Sequence, residues 1–539
     1  MKLHSYTKSG HAALSASAVF MLLPMLAAHA GEIDQDNPDL KIRFDNTVRY
    51  NVGVRTKKQD PAITNTYTYA NSDLKFDRGD LITNRVDLLS EFDVVYKKNH
   101  GVRISAQGWY DAAYDRNEVT NPALPGSSAY PNQRFTNYAK RWNLGPSGEL
   151  LDAFVFTNFD IGDTSTNVKA GSHNLYWGES LFSFVHGVSY SQGPVDVRKA
   201  LATPGVEAKE LFKPLSQISF GTQLTPTLSV AGQYFLDWKP STLPDGGTYW
   251  GALDFLSMGG GTVLPNGLPF AGINHKPAKE HGDWGLMTRW SPAWLEGTLG
   301  AYYRQYTDKL PQFALASNFS NLGLDYQSKR ATLAGVSMSK SIGGIAFGSE
   351  ISHRRNGALL MGPMTTVGAE PVGDTWHALV NTLGYAGQTQ LFDSMVWMAE
   401  LTYSRLGKLR TNGANFNSVD YGCRAAANQL SCATKDAIGI AIKIEPKWFQ
   451  VMEGADLSMP VFYTTGLKGN SPVLFGGYKG SGSYSLGLSL DFQNKYLVSL
   501  AYNGVMAKHT IVGNTVVDVG GIGAQWDRNN VTLTFKATF

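Results

Sequence analysis

The sequence predicts an all-β chain: a transmembrane antiparallel β-barrel of about eighteen strands, with sixteen as the next even number. Three observations carry this. The final segment alternates strictly between apolar and polar residues. Alternating segments recur along the chain, joined in turn by short turns and long polar connections. An apolar leader stands in front of all of them.

The final segment is Val531 to Phe539. Val531, Leu533, Phe535, Ala537 and Phe539 share one parity, and Thr532, Thr534, Lys536 and Thr538 take the other. A strand has period two, so one face is apolar and the other polar. This tail resembles the terminal strand of bacterial outer-membrane barrels. That resemblance implies that Phe539 is part of an assembly signal read by the barrel-assembly machinery.

Lys2, His4 and Lys8 precede an apolar run from Ala12 to Leu26, and Ala28-His29-Ala30 supplies small residues for a signal peptidase. Residues 1–30 read as a cleaved secretory signal peptide, with Gly31 first in the mature chain. The run is too short to span about 30 Å comfortably, and Pro24 interrupts it. Gly31 in place of a cysteine gives no sign of a lipid anchor. The expected location is the bacterial outer membrane, among its lipid and lipopolysaccharide.

Composition narrows the class. No stretch after Leu26 has the 18 or so uncharged apolar residues of a membrane helix. Aromatic content is 12% and Gly is 57 of 539, which suits many strands joined by turns. A formal net charge of +3 is too small to argue for nucleic acid.

The strands follow in order. In Leu40 to Val54, Ile42, Phe44, Val48, Tyr50 and Val52 oppose Arg43, Asp45, Thr47, Arg49 and Asn51. Ile82 to Tyr96 sets Val86, Leu88, Phe92 and Val94 against Arg85, Asp87, Glu91 and Asp93. A turn at Asn99-His100-Gly101 leads to Val102, Ile104, Ala106, Tyr110 and Tyr114 against Arg103, Ser105, Gln107 and Asp111. Further short turns fall near Gly162, Pro226, Pro292, Gly343, Gly387, Gly454 and Asn494. Long connections alternate with them, at 55–79, 115–148, 176–215, 239–282, 307–327, 354–372, 406–433, 464–478 and 507–527. Outer-membrane barrels show this asymmetry of short periplasmic turns and long external loops. Residues 31–539 therefore read as one barrel domain.

A large secreted sandwich or propeller is the soluble rival, and no blade period supports it. The polar parity decides against it. Arg or Lys on a lipid face costs about 2–4 kcal/mol each near the midplane, and little in a wet lumen. Arg43, Arg49, Arg85, Asp87, Glu91, Asp93, Arg103 and Asp111 are accordingly the candidate pore-lining residues. They either field a transverse charge ladder across the lumen or pair with one another and brace the wall. Tyr50, Tyr96, Tyr114, Tyr496 and Tyr502 are expected in an aromatic girdle.

Cys423 and Cys432 lie in a Gly/Asn/Ser-rich stretch of an exported chain and are expected to form a disulfide. Closing so small a loop contributes roughly 2–3 kcal/mol in the chain-entropy picture.

The third long connection, 176–215, is too apolar to hang in water. Leu181, Phe182, Phe184 and Val185 need a surface, and Val206 to Phe212 reads as a short helical turn after Pro204 and Gly205. The segment is expected to fold into the lumen as a constriction or plug, with an external cap as the alternative. Its candidate residues are Tyr176, Trp177, Glu179, Phe182, Phe184, His186 and Phe212. They either line a path for an apolar ligand or pack the loop against the wall.

Trp177-Gly178-Glu179-Ser180, Pro194-Val195-Asp196, Pro204 to Phe212 and Tyr234 to Trp238 resemble the signature of an uncharacterised proteobacterial outer-membrane barrel family, catalogued as a domain of unknown function. That resemblance implies a porin-like barrel serving uptake of hydrophobic or aromatic growth substrates. It carries over no catalytic or ligand residues.

Chemistry elsewhere is sparse. No G-x-S-x-G elbow is present, and His173, His281, His353 and His377 form no metal spacing. No enzyme activity, metal or cofactor is expected. The expected function is a passive channel for small hydrophobic or amphipathic solutes, such as fatty, terpenoid or aromatic acids. A general hydrophilic porin and a non-transporting surface barrel are the alternatives.

Overall fold

A computed structural model describes residues 31–33, 37–115, 128–273, 276–277, 279–327, 329–362, 365–423, 429–521 and 523–539. The expected leader, residues 1–30, lies outside the described residues.

Eighteen antiparallel wall strands close into a barrel. They are β1 Leu40–Arg55, β2 Leu81–Tyr96, β3 His100–Asp111, β4 Ser147–Ile161, β5 Thr164–His173 and β6 Leu215–Thr225. Then come β7 Leu228–Phe235, β8 Trp284–Trp290, β9 Gly297–Tyr306, β10 Ala331–Ile342, β11 Ile345–Ala358 and β12 Val372–Ala386. The last six are β13 Ser394–Thr411, β14 Asp436–Met452, an interrupted β15 (Ala455–Ser458 and Val461–Lys468), β16 Gly482–Phe492, β17 Tyr496–Met506 and β18 Asn530–Thr538. Pro460 sits at the break in β15, where a residue without an N–H cannot continue the ladder. The short strand Gly31–Ile33 pairs with the start of β1.

Closure is made by β18 on β1, with Tyr50 opposite Phe535, Val52 opposite Leu533 and Asn51 opposite Thr534. The Thr534 hydroxyl donates to Asn51 Oδ1 at 2.7 Å. Phe539 extends the seam, exchanging backbone hydrogen bonds with Asn46 at 2.7 and 2.9 Å. With no free edge, every wall strand has two partners, as lipid requires.

Register follows parity. Arg49 stands opposite Asp87 and Val48 opposite Leu88 across β1 and β2. Arg49 and Asp87 are buried, whereas Leu88 is exposed. The outward row continues around the wall through Ile104, Val155, Ile218, Leu286, Val336, Val380, Leu401, Leu486 and Leu533, all exposed. These residues form an apolar belt that only acyl chains would cover. Tyr96, Tyr496 and Tyr502 are exposed in the manner of a girdle. Tyr114 is not among them: it is 5% exposed and packs against Phe76, Phe135 and Tyr249. The strand reading fails there because β3 ends at Asp111, whose carboxylate accepts from Ala113 N at 3.1 Å and turns the chain inward.

Eight short turns join strands at one end of the barrel, and nine longer connections join them at the other. At Gly343 and Gly344 both φ angles are positive, the requirement of a tight two-residue hairpin turn. The loop end carries its own hydrophobic core, with Tyr130, Tyr249, Phe255, Leu256, Phe270, Leu315 and Leu324 at its centre. The first, second, fourth and fifth long connections all contribute to this core.

Candidate functional site

The segment between β5 and β6 lies inside the barrel, held by inward side chains from all around the wall. Two wall carboxylates grip its backbone. Glu350 of β11 accepts from the amides of Glu179, Ser180 (3.1 Å) and Val188 (2.6 Å). Glu400 of β13 accepts from Leu181 at 2.6 Å, Phe182 at 3.3 Å and Ser183 at 2.8 Å. Arg304 of β9 donates to the carbonyls of Val188 and Tyr190 at 2.9 and 2.8 Å. Arg354 of β11 donates to Val185 and Gly187. Charged hydrogen bonds of this kind are the strong ones, and here the partner is backbone that would otherwise stand unpaired in a dry interior.

The aromatic candidates of this loop pack. Tyr176 lies 4.4 Å from Phe212, Trp177 6.4 Å from Tyr302, Phe182 5.6 Å from Phe462 and Phe184 6.4 Å from Phe475, centroid to centroid. Glu179 takes a 2.8 Å bond from Arg289 of β8. His186 Nε2–H donates to Gly476 O at 2.9 Å, which leaves its Nδ1 to accept from His377 at 3.0 Å. Burial pushes His186 down to about 4, so the neutral ring fits this arrangement. Leu181, expected to be buried, is 38% exposed.

Two short helices follow in the same segment, α1 (Val197–Ala202) and α2 (Ala208–Leu211). The Asp196 side chain caps α1 by accepting from Lys199 N at 3.2 Å. Burial alone would raise the Asp196 carboxyl, but Arg198 and Lys213 hold it well below the usual range. Burial lowers Lys213 to about 8. Glu207 and Glu210 form a capping box on α2. The other side of Glu210 meets the wall, where Arg49 grips it and Gln107 of β3 donates at 2.7 Å. Glu207 pairs with Lys536 of β18, and Lys209 with Glu91 of β2 at 2.5 Å.

The eight candidate pore-lining residues divide accordingly. Arg43 pairs with Asp45 at 2.5 Å and is largely exposed. Arg85 pairs with Asp87 at 2.8 Å, and Arg103 with Glu91 and Asp93 at 3.1 and 3.3 Å. Arg49 lies under α2. Asp111 accepts from Thr83 Oγ1 and Asn84 N, both at 2.8 Å. Arg49 and Glu91 thus fasten the loop through Glu210 and Lys209, while the other charges pair within the wall or, for Asp111, are held by neutral donors.

Tyr176 and Trp177 border a pocket of about 240 Å³, and a larger space lies elsewhere. A cavity of about 630 Å³ runs between the α1 region and strands β14 to β18. Ala200, Leu201, Ala202, Pro204 and Gly205 form one side. Ser485, Ser489, Ser499, Asn503, Thr532 and Thr534 form the other. Lys443, Glu445, Lys447, Asp456 and Asp491 stand toward the turn end. Of the candidate pore-lining residues only Asp111 borders this cavity, and none of the candidate constriction side chains does. The signal that finds it is parity applied to the last strands: Thr532 and Thr534 are the polar face of the terminal segment.

Away from the lumen, Cys423 and Cys432 are joined by a disulfide. Among the described residues no group of three or more His, Cys, Asp or Glu is placed to hold a metal.

A family model described as "Protein of unknown function (DUF1302)" matches residues 11–539. The chain belongs to this family. No curated protein matches this DUF1302 chain. Several solved structures are similar to it. One is the outer membrane channel DcaP of Acinetobacter baumannii, at 11% identity over 94% of this chain and 99% of that one, TM-score 0.38. Another is OccD3 (OpdP) of Pseudomonas aeruginosa, at 12% identity over 95% and 93%, TM-score 0.42. A third is OpdK of Pseudomonas aeruginosa with vanillate, at 8% identity over 92% and 98%, TM-score 0.40. The closed wall and apolar belt of this chain place it in a bacterial outer membrane.

Proposed function

We propose that this DUF1302 protein is a passive outer-membrane channel for small amphipathic solutes, in the class of fatty, terpenoid or aromatic acids. One observation carries the reading: the 630 Å³ cavity has an apolar side, Ala200 to Pro204, facing a side of hydroxyls and amides on β16 to β18. Its volume falls within the range of roughly 300–1,000 Å³ that holds one small molecule. A solute with one greasy and one polar face is matched on both. Toward the turn end Lys443 and Lys447 are paired with Glu445 at 2.8 and 4.0 Å, so the selection is made by the amphipathic lining and not by a free cation.

Proteoliposome swelling with a panel of small acids and sugars tests this. Faster swelling with medium-chain or aromatic acids than with sugars of equal size supports it; indifference to every acid sinks it. The Ser/Thr/Asn wall favours a second reading, a general hydrophilic porin. Equal permeation of sugars, with a large single-channel current, decides for that.

A further inference from the structure

The outer face of the barrel holds a feature the channel does not use. Toward the loop end of β11 to β13, basic side chains point away from the lumen. Arg355, Arg405 and Lys408 are exposed and have no hydrogen-bond or ion-pair partner among the described residues. Parity fixes their direction. Arg405 stands opposite the exposed Trp376, which in turn stands opposite His353. On the same strand Glu400 and Ser404 turn inward and are 1% exposed. Exposed Arg410, Lys435 and Lys468 extend the band. Two acids temper it: Asp374, opposite Lys408 and paired with Arg410 at 2.5 Å, and Asp436, opposite Arg405 and paired with Lys468 at 3.3 Å.

Next to this band the belt is hollowed. An outward trough of about 500 Å³ is lined by Leu286, Ala301, Tyr303, Ala334, Ile351 and Trp376, with His353 tilted against Trp376 at 4.6 Å. Ala301 and Ala334 make its floor low, while Leu286, Tyr303 and Trp376 stand as its walls. Trp376 borders both the trough and the cations.

We propose that this face is a binding site for a phosphorylated glycolipid of the outer leaflet, with phosphates on Arg355, Arg405 and Lys408 and an acyl chain in the trough. Charge complementarity and position select this occupant. The long loops mark the external side, so the cations stand where the head groups of the outer leaflet lie. Arg355 on β11 and Arg405 with Lys408 on β13 stand two strand spacings apart, roughly 10 Å, and the band continues as far as Lys468 on β15. That breadth suits a head group with two separated phosphates better than one phosphodiester. Arg405 and Lys408 stand opposite Asp436 and Asp374, but those acids are paired with Lys468 and Arg410, so an anion beside the apolar wall still finds cations that form no ion pair of their own.

Native mass spectrometry of the detergent-purified protein tests this with bisphosphorylated lipid A, dephosphorylated lipid A and phosphatidylglycerol. Bisphosphorylated lipid A is expected to be retained most. Replacing Arg355, Arg405 and Lys408 together by Ala should weaken retention by roughly tenfold or more. The variant Ala334→Trp fills the trough with every charge kept, and should reduce retention of the acylated lipid while leaving the barrel intact. Heat-modifiable gel migration confirms that each variant is folded. Equal retention of lipid A with and without phosphates, or by wild type and the triple variant, overturns the proposal. A lipid-free dimer or trimer that the triple substitution dissolves assigns the face to a second copy of the chain and equally overturns it.

Discussion

Arg49 and Glu210 face each other in a fork-to-fork pair, Nη1 to Oε1 and Nη2 to Oε2 both at 2.9 Å. The arginine is in the first wall strand and the glutamate in the second helix of the inward loop, and their side chains are 3% and 2% exposed. This contact docks the loop against the closure seam.

Removing one partner of such a pair strands a buried charge and costs about 3–5 kcal/mol locally. Glu210→Ala should therefore loosen the segment that borders the cavity. Single-channel recordings in planar bilayers are expected to show a larger or noisier current. Arg49→Leu with Glu210→Leu removes both charges, and its current should sit closer to wild type than either single variant.

Glu400 holds three consecutive amides, those of Leu181, Phe182 and Ser183. Glu400→Ala leaves them without an acceptor in a place where water is scarce, at about 1–3 kcal/mol for each group left unsatisfied. The expected result is proteolytic cutting within residues 179–190 of a barrel that otherwise stays intact. Glu400→Gln retains an acceptor oxygen and should be cut more slowly. If Glu400→Ala resists protease as wild type does, the carboxylate is not what fixes the loop.

Much of the wall was legible because period two is a local property. Arg49 against Val48, or Thr534 against Leu533, declares its side from neighbours one residue away. The loops were not legible in this way. Glu350 finds Val188 across 162 positions, and Arg55 finds Asp527 across 472, with nothing near either residue to announce it. Glu350 and Glu400 were not singled out in the sequence, because what they hold depends on where the loop goes. Tyr114 shows the converse error. Its alternation runs on past the strand end, while Asp111 bends the chain through a local hydrogen bond. The cavity was hidden because distant segments assemble it: Ala200 to Gly205 of the third long connection, Tyr114 and Trp250 of two others, and Phe462, Tyr484 and Ser499 of the wall.

The loop end should respond to pH. Asp254, 1% exposed, accepts from Asn71 N at 2.7 Å and Ser72 N at 2.8 Å, tying the fourth long connection to the first. Burial raises its carboxyl to about 7, against the pull of those two amides. A folded-state value above the unfolded one means that the folded form favours the neutral acid. Its stabilisation is thus complete below about pH 4 and is lost as pH rises toward 7, by up to about 1.4 kcal/mol per unit. Hydrogen exchange, corrected for intrinsic rates, should show protection at residues 70–74 falling over that window. Asp254→Asn should flatten the dependence; an unchanged slope in that variant would place its source elsewhere.

The passage itself can be closed from the wall. Ser499 lies on β17 with its side chain on the cavity, opposite Ser489, whose hydroxyl it meets at 2.7 Å. Ser499→Trp adds a large ring to a space of about 630 Å³ and removes one hydroxyl from the polar side. If solutes pass here, swelling by small acids should drop severalfold, while the outer face and the loop's grip on Glu350 and Glu400 stay as they are. Ser499→Ala separates size from polarity. It leaves the bore open, so it should slow solutes only to the degree that they lean on this hydroxyl. Equal swelling rates in Ser499→Trp and wild type would mean that solutes take another route, because a side chain of that volume cannot share the cavity with a permeant filling it.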